Sequence, residues 1–452
     1  MSRAPSRGLV WAAVALGGTG LAIRINNAFR YPTNWGFDAK YNWEYIERLM
    51  SSWALPAPDA GWATGHPPLF YYLGAAIGRA LGHPDTESTT LAIRLVSAAA
   101  GLLTLALAVM LVRRVDPTNP RRALLAGGLL LFLPVHIYMS AMLSEEILAS
   151  SFTSAAVTGV ALALTRPGNA QQERVRALSI GLAAGLAVLT KLSGVLVALA
   201  VAGAYALDGW RRRELAPALG RIALVLGAVA LVGGWYYARN RIEYGYFYPQ
   251  NLSTHEVMFT MPPGERNIGD YLRVPLATWT DPQLLAPGLI RSVWGSTYAT
   301  VWFDGHRFFL PKSGNPVRAA GMAILLLALL PTAAFAIGLG RGVRRALSST
   351  HTPDTPLLLL VGLTLAGYVL FTWRNPWFAA VKGSYLLGLA LPFSFYASEV
   401  LADWTRGRDV RSRLVWVALG LLALVVAATF TYGPIFAKWG EYPGLEWRQL
   451  GS

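Results

Sequence analysis

The stretch Val96-Ser-Ala-Ala-Ala-Gly-Leu-Leu-Thr-Leu-Ala-Leu-Ala-Val-Met-Leu-Val112 carries no charged side chain, and Arg113-Arg114 follow it at once. A helix rises about 1.5 Å per residue, so this run and its apolar shoulders match the roughly 30 Å hydrocarbon core of a bilayer. Similar runs occur at Leu9 to Ile23, Leu219 to Ala238 around Arg221, Ala319 to Leu339, and Leu414 to Tyr432. Only 14% of the 452 residues are charged and 54% are hydrophobic, whereas a soluble chain carries roughly 25% charge. The expected fold class is therefore all-α and polytopic, with one helical bundle absorbing the chain.

The arginines set the orientation. The formal net charge of +15 would suit a nucleic-acid partner if it formed one patch. It is instead divided among short clusters between the apolar runs: Arg113, Arg114, Arg121 and Arg122; Arg166, Arg174 and Arg176; Arg211, Arg212, Arg213 and Arg221; Arg341, Arg344 and Arg345; Arg406, Arg408, Arg411 and Arg413. Such clusters mark cytoplasmic loops. No nucleic-acid partner is expected.

With every cluster and the N-terminus on one side, the spans fall near 9–29, 90–112, 122–139, 147–165, 177–189, 192–208, 219–238, 317–339, 356–373, 384–402 and 414–432. This makes about eleven crossings, with the N-terminus cytoplasmic and the C-terminus extracytoplasmic. Arg3 and Arg7 precede the first run as in a signal peptide. No small-x-small cleavage site precedes the polar stretch after Arg24, so a retained first span is expected. Pro67 to Gly82 is apolar but short, and counting it as a span would reverse the side of Arg113 to Arg122. It is expected to lie in the outer interface with Tyr71 and Tyr72 at headgroup level. Glu399 is left inside a span.

The chain has no cysteine, which excludes disulfides, thiolate metal sites and cysteine nucleophiles. There is no P-loop and no dinucleotide-binding glycine pattern. The informative polar residues lie in three outer segments, Arg30 to Thr89, Ser140 to Glu146 and Arg239 to Pro316.

In the first of these, Tyr41, Tyr45, Ile46 and Leu49 recur at helical spacing after Asp38, which puts Asp38 at an N-cap or in a first turn. It can cap the helix by accepting backbone N–H bonds, or it can face a cavity and take a proton from a hydroxyl. Glu145 and Glu146 open a span, where they either cap and solvate the helix or face a polar cavity. Lys191 interrupts two apolar runs, where an unpaired ammonium is costly and an anion would offset the cost. Arg239 and Arg241 follow the seventh span, and Arg374 and Lys382 flank a short outer loop containing Trp377. These cations suit either phosphate contact or interfacial anchoring. His66, before two prolines, is a rigid loop corner or a headgroup contact. Trp279, Trp294, Tyr298, Trp302 and His306 are read as packing of a cap over the cavity.

The order of these features resembles the bacterial relatives of protein O-mannosyltransferases and lipid A aminoarabinose transferases, which are GT-C glycosyltransferases. The resemblance rests on Phe37-Asp38-Ala39 before an aromatic-rich helix and on His66-Pro67-Pro68-Leu69-Phe70-Tyr71-Tyr72. It continues through Ser144-Glu145-Glu146, Leu189-Thr190-Lys191, and Trp235-Tyr-Tyr-Ala-Arg239-Asn240 with Tyr244-Gly245. It covers roughly residues 1–320, and the later spans read as generic.

What the resemblance implies is a GT-C fold of about eleven transmembrane helices plus interfacial helices in the first outer loop. A catalytic module at 1–316 would include the loops 30–89 and 239–316, and 317–452 would supply C-terminal spans and a short outer tail. The implied activity is transfer of a sugar from a polyprenyl-phosphate donor to a lipid, glycan or protein acceptor, on the outer face of the cytoplasmic (inner) membrane. Asp38 would be the base, assisted by Glu145 or Glu146. Lys191, Arg239, Arg374 and Lys382 would bind the donor phosphate. The family often has two adjacent acids where this chain has Asp38-Ala39, so either one carboxylate serves alone or Glu44 is recruited from the next turn. A divalent metal on Asp38, a glutamate and His66 is a candidate cofactor. A lipid-linked glycan flippase or solute transporter is the alternative, since it too would want a basic cavity, although transporters concentrate charge at the midplane.

Overall fold

The computed structural model describes residues 7–33, 35–82, 85–248, 259–281, 286, 288–306, 310, 315–349 and 352–436, and no side chain at 315–316 or 432–436. Residues 249–258, 282–285, 287, 307–309 and 311–314 of the expected outer loop, and 437–452 of the expected outer tail, lie outside these residues.

The first half comprises α1 (Arg7–Arg30), α2 (Ala39–Ser52), α3 (Leu69–Ala80), α4 (Thr86–Val115), α5 (Pro120–Leu131), α6 (Pro134–Ala141), α7 (Glu146–Thr165), α8 (Ala170–Thr190) and α9 (Gly194–Arg212). The second comprises α10 (Leu215–Val229), α11 (Trp235–Tyr244), the single turns α12 (Gly269–Leu272) and α13 (Ala277–Thr280), α14 (Val293–Trp302), α15 (Asn315–Leu327), α16 (Leu329–Ser348), α17 (Asp354–Arg374), α18 (Ala390–Trp404) and α19 (Val410–Phe436). Among the described residues the only strand-like pairing is an isolated bridge between Pro263 and Trp377.

Nine helical segments among these residues are long and apolar enough to cross a membrane, or ten when the bent pair α5–α6 counts as one span. The chain is a multi-pass membrane protein. The further expected crossing, 177–189, lies within α8, whose first turns carry Glu173, Arg174 and Arg176. The α3 helix has 12 residues, about 18 Å of rise, too little to span. Tyr71 departs from the expectation of headgroup contact, whereas Tyr72 is half-buried and donates its hydroxyl to the Trp53 carbonyl at 3.0 Å. Tyr71 is fully buried, stacks on Tyr45 at 4.2 Å and donates its hydroxyl to Asn42 Oδ1 at 3.0 Å. The interior thus reaches under the outer loop.

Local sequence explains the helix ends. The Asp85 carboxylate accepts from the Ser88 N–H and caps α4, Asn169 and Gln172 form a capping box on α8, and Arg113 and Arg114 sit at the C-terminus of α4 against the helix dipole. Pro134 breaks α5 from α6 with a 50° bend. The break leaves carbonyls that buried Arg24 satisfies, with Nη1 donating to Leu131 O at 3.1 Å and Nη2 to Leu130 O at 3.3 Å. Arg24 Nη2 also stands 2.9 Å from His136 Nδ1. Five residues of π-helix, 230–234, separate α10 from α11. A Cβ at Gly233 would stand 2.8 Å from Gly185 O, so glycine there is what lets this segment lie against α8.

Glu399 is held by Arg345 at 2.8 Å, Arg122 at 3.6 Å and Arg341 at 3.7 Å. This network ties together α5, α16 and α18 toward the C-terminal end of α18. The candidate cavity opens among helix termini elsewhere, at the starts of α2 and α9 and the C-terminal half of α17.

Candidate active site

A cavity of about 540 Å³ lies between the outer loop 53–68, the α8–α9 junction, the second half of α17 and residues 377–385. Asp38, His66, Lys191 and Lys382 all line it. Four of the expected site residues therefore meet in one space.

Asp38 occupies the N-cap position of α2, but its side chain makes no capping hydrogen bond. Its backbone is left-handed, φ 55° and ψ 12°, a conformation that costs a non-glycine residue on the order of 1 kcal/mol. In this conformation Oδ1 accepts from Trp62 Nε1 at 3.1 Å and Oδ2 stands 3.6 Å from Lys382 Nζ. Of the two readings of Asp38, the geometry selects the carboxylate facing a cavity.

Glu145 and Glu146 likewise do not cap α7 through the Glu145 side chain. Both converge on Lys191: Glu146 Oε1 accepts from its ammonium in a short contact, and Glu145 Oε1 lies 3.4 Å from it. Ser384 Oγ donates to Glu146 at 3.3 Å, and His66 Nδ1 stands 3.6 Å from Glu145 Oε1. Burial alone would raise the Glu145 carboxyl, but Lys191 and His66 outweigh it and hold the group below the usual carboxylate range. Burial would lower Lys191, and Glu146 and Glu145 hold it above the usual ammonium value. Lys191 is therefore a fixed cation. The tight turn that presents it needs glycine at 194, where a Cβ would stand 2.3 Å from the Ala187 carbonyl carbon.

Tyr385 links the two halves of the site. Lys191 Nζ lies 4.8 Å from its ring centroid and Lys382 Nζ 5.7 Å, so a chain of contacts runs from Asp38 through Lys382, the neutral Tyr385 ring and Lys191 to Glu145, Glu146 and His66. His66 is also a loop corner: the Tyr236 hydroxyl donates to the Gly65 carbonyl at 2.8 Å and lies 3.1 Å from that of His66. The π-helical turn before α11 sets the azimuth of Tyr236.

The remaining expected residues lie away from the cavity. Arg239 pairs with Glu243 at 2.9 Å and with the Tyr244 hydroxyl at 3.2 Å. Arg374 is exposed, and Glu44 is half-buried on α2; neither lines the cavity. The aromatic residues expected to cap the cavity from the third outer segment pack on one another and on neighbouring elements, Trp279 on Tyr298, Trp294 on Tyr368, Trp302 on Phe393 and His306 on Phe37. Trp279, Trp294, Tyr298, Trp302 and His306 do not line the cavity. Burial and the Lys382 charge push the His306 imidazole down to about 3, and Nε2 lies 2.9 Å from the Val381 carbonyl.

Sequence reasoning missed Trp62, Tyr248, Tyr385 and the α17 wall of Thr364, Gly367, Tyr368 and Phe371. The later spans are not generic, since 364–385 form one side of the cavity, which thus draws on both sides of residue 316. The polar pair Ser384-Tyr385 at the head of an apolar run was the available signal. Among the described residues no three of His, Cys, Asp and Glu gather into a metal-ligand set. The donor chemistry disfavours one as well, because the Glu145 and Glu146 carboxylates face an ammonium and Asp38 faces another.

The helical arrangement is a GT-C fold. The chain is similar to the apo oligosaccharyltransferase of Archaeoglobus fulgidus, with TM-score 0.54, 16% identity, and coverage of 94% of this chain and 56% of that one. It is similar to the archaeal oligosaccharyltransferase AglB from the same organism in complex with an inhibitory peptide and a dolichol-phosphate, with TM-score 0.53, 15% identity, and coverage of 94% and 56%. The chain thus spans about half the length of these enzymes. ArnT from Cupriavidus metallidurans bound to undecaprenyl phosphate aligns at TM-score 0.43 and 15% identity over 95% of this chain and 86% of that one. Within the chain, residues 61–241 match the family model described as dolichyl-phosphate-mannose-protein mannosyltransferase. No curated protein matches it.

Proposed function

We propose that this protein is a GT-C glycosyltransferase that moves a sugar from a polyprenyl-phosphate donor to an acceptor hydroxyl, on the extracytoplasmic face of the cytoplasmic membrane. The observation that carries the reading is Asp38, turned out of its helix cap into a cavity that also holds Lys191 and Lys382. The match of residues 61–241 to a family named for a lipid-phosphate sugar donor supports it, as does the dolichol-phosphate held by a structure of the same fold.

In this reading Asp38 takes the acceptor proton as the acceptor oxygen attacks the anomeric carbon. The bond from that carbon to the phosphate oxygen breaks, and the phosphate leaves with the electron pair. Preorganised cations stabilise the charge that develops there, and Lys382 and Lys191 are the two that line the cavity. Leu192 in the α8–α9 turn and Val195 and Leu196 on α9 line its apolar part with Gly367 and Phe371 on α17, where a prenyl chain fits. Glu145 and Glu146 fix Lys191 and assist indirectly. This reading gives the charge-stabilising role to the two ammonium groups, which the three carboxylates share.

The arginine clusters between spans support a cytoplasmic N-terminus and an outward-facing site. A flippase or transporter would hold its charges near the midplane, whereas these sit at helix termini. Deleting the gene and profiling lipid-linked sugars by mass spectrometry tests the reading. A polyprenyl-phosphate sugar should accumulate as one glycoconjugate disappears; an unchanged lipid-linked pool would refute it.

A further inference from the structure

The two lysines that line the cavity are held in different ways. Lys191 contacts two carboxylates and one ring, and its position is fixed. Lys382 is pinned only at its base: the carbonyl of Val381 lies 2.9 Å from His306 Nε2, and Gly383 N–H donates to Thr300 Oγ1 at 2.8 Å. Its ammonium stands 3.6 Å from Asp38 Oδ2, beyond the roughly 2.7–2.9 Å of a charge-assisted hydrogen bond. Its other neighbours are the rings of Phe37, 4.5 Å to the centroid, and Tyr385, 5.7 Å. Among the described residues no acceptor lies within hydrogen-bonding distance of Lys382 Nζ. A lysine head on a flexible four-carbon stem, paired loosely and lining a cavity, can transfer to a better anion.

We propose that Lys382 is exchanged between two anions: it pairs with Asp38 before the donor binds, and it moves to the donor phosphate when the donor enters, which frees Asp38 for the acceptor hydroxyl. This rests on the donor reading above and adds an order to it. A phosphodiester brings unesterified oxygens at hydrogen-bonding distance, where Asp38 offers only a longer contact. An ion-paired carboxylate has its lone pairs turned toward the ammonium. Donor binding therefore prepares the base, and the acceptor is engaged second. Lys382 becomes the residue that couples the two half-sites.

A double-mutant cycle on donor affinity reads the exchange without using turnover. Binding of decaprenyl phosphate is measured for purified wild type, Asp38→Asn, Lys382→Gln and the double variant, each checked for folding by gel filtration. If Lys382 serves one anion at a time, Asp38→Asn tightens binding by more when Lys382 is present than when it is Gln. The excess is about 5-fold, the value of one partly exposed ion pair. If Lys382 served both anions together, Asp38→Asn would merely remove a repulsion and the two gains would be equal. Equal gains with wild-type binding intact overturn the exchange alone. No binding by wild type overturns the donor reading and the exchange with it. Lys382→Met repeats the comparison with a different side chain, so that one poorly folded variant does not decide it.

Discussion

The Asp38 carboxylate and the Trp62 indole are joined by one hydrogen bond, Nε1 to Oδ1 at 3.1 Å, between the start of α2 and the loop that precedes His66. Tyr41 stacks on the same indole at 5.0 Å. The donor that orients the base therefore sits on a ring held from its own helix.

Trp62→Phe keeps a flat ring and removes the N–H. The expected result is a fall in kcat of about 10-fold, in line with one lost hydrogen bond, with little change in the KM for donor. Initial rates over a range of donor concentration check it. An unchanged kcat would mean that the bond does not position Asp38.

Lys191→Met leaves Glu145 and Glu146 buried without their cation. Removing one partner of a buried charge cluster costs roughly 3 kcal/mol. Thermal unfolding in detergent should therefore show a clear loss, and Glu146→Gln added to Lys191→Met should restore part of it. Full stability of the single variant would contradict the pairing.

Glu145 gives the cluster a pH signature. Its folded carboxyl lies below the usual range, so its stabilising contribution is complete above the unfolded value of about 4.3 and is lost as pH falls toward the folded value. The stability gap between wild type and Glu145→Gln should be flat at neutral pH and should shrink only under acid. A gap that closes as pH rises from 6 to 8 would contradict this sign.

Chelation separates the lysine reading from a metal one. With Lys191 and Lys382 as the cations, transfer in membranes washed with EDTA should proceed at the untreated rate. Loss of transfer and its recovery on adding a divalent ion would require a ligand set that these carboxylates do not form.

Much of the site was legible because charged residues beside apolar runs have few bland explanations. Asp38, His66, Glu145, Glu146 and Lys191 stood out on that ground, and placing the arginine clusters on one side brought them to one face. Arg239 and Arg374 met the same criterion but turn to Glu243 or to the exterior, since an arginine at a span end anchors equally well. The α17 wall was illegible for a physical reason: a lipid-facing aromatic and a cavity-facing one look alike in an apolar helix, and Trp62 lies in a loop with no periodicity to show which way its ring turns. The Arg24–His136 contact was hidden because nothing in the local pattern shows that Pro134 frees the carbonyls of Leu130 and Leu131.

The central claim is that Asp38 is the base of a sugar transfer from a polyprenyl phosphate. The direct measurement is the rate at which membrane vesicles carrying wild type or Asp38→Asn move labelled sugar from polyprenyl-phosphate sugar to the endogenous acceptor. The account predicts that Asp38→Asn folds, binds the donor and transfers about 100-fold more slowly or worse. Transfer by Asp38→Asn at the wild-type rate would contradict it.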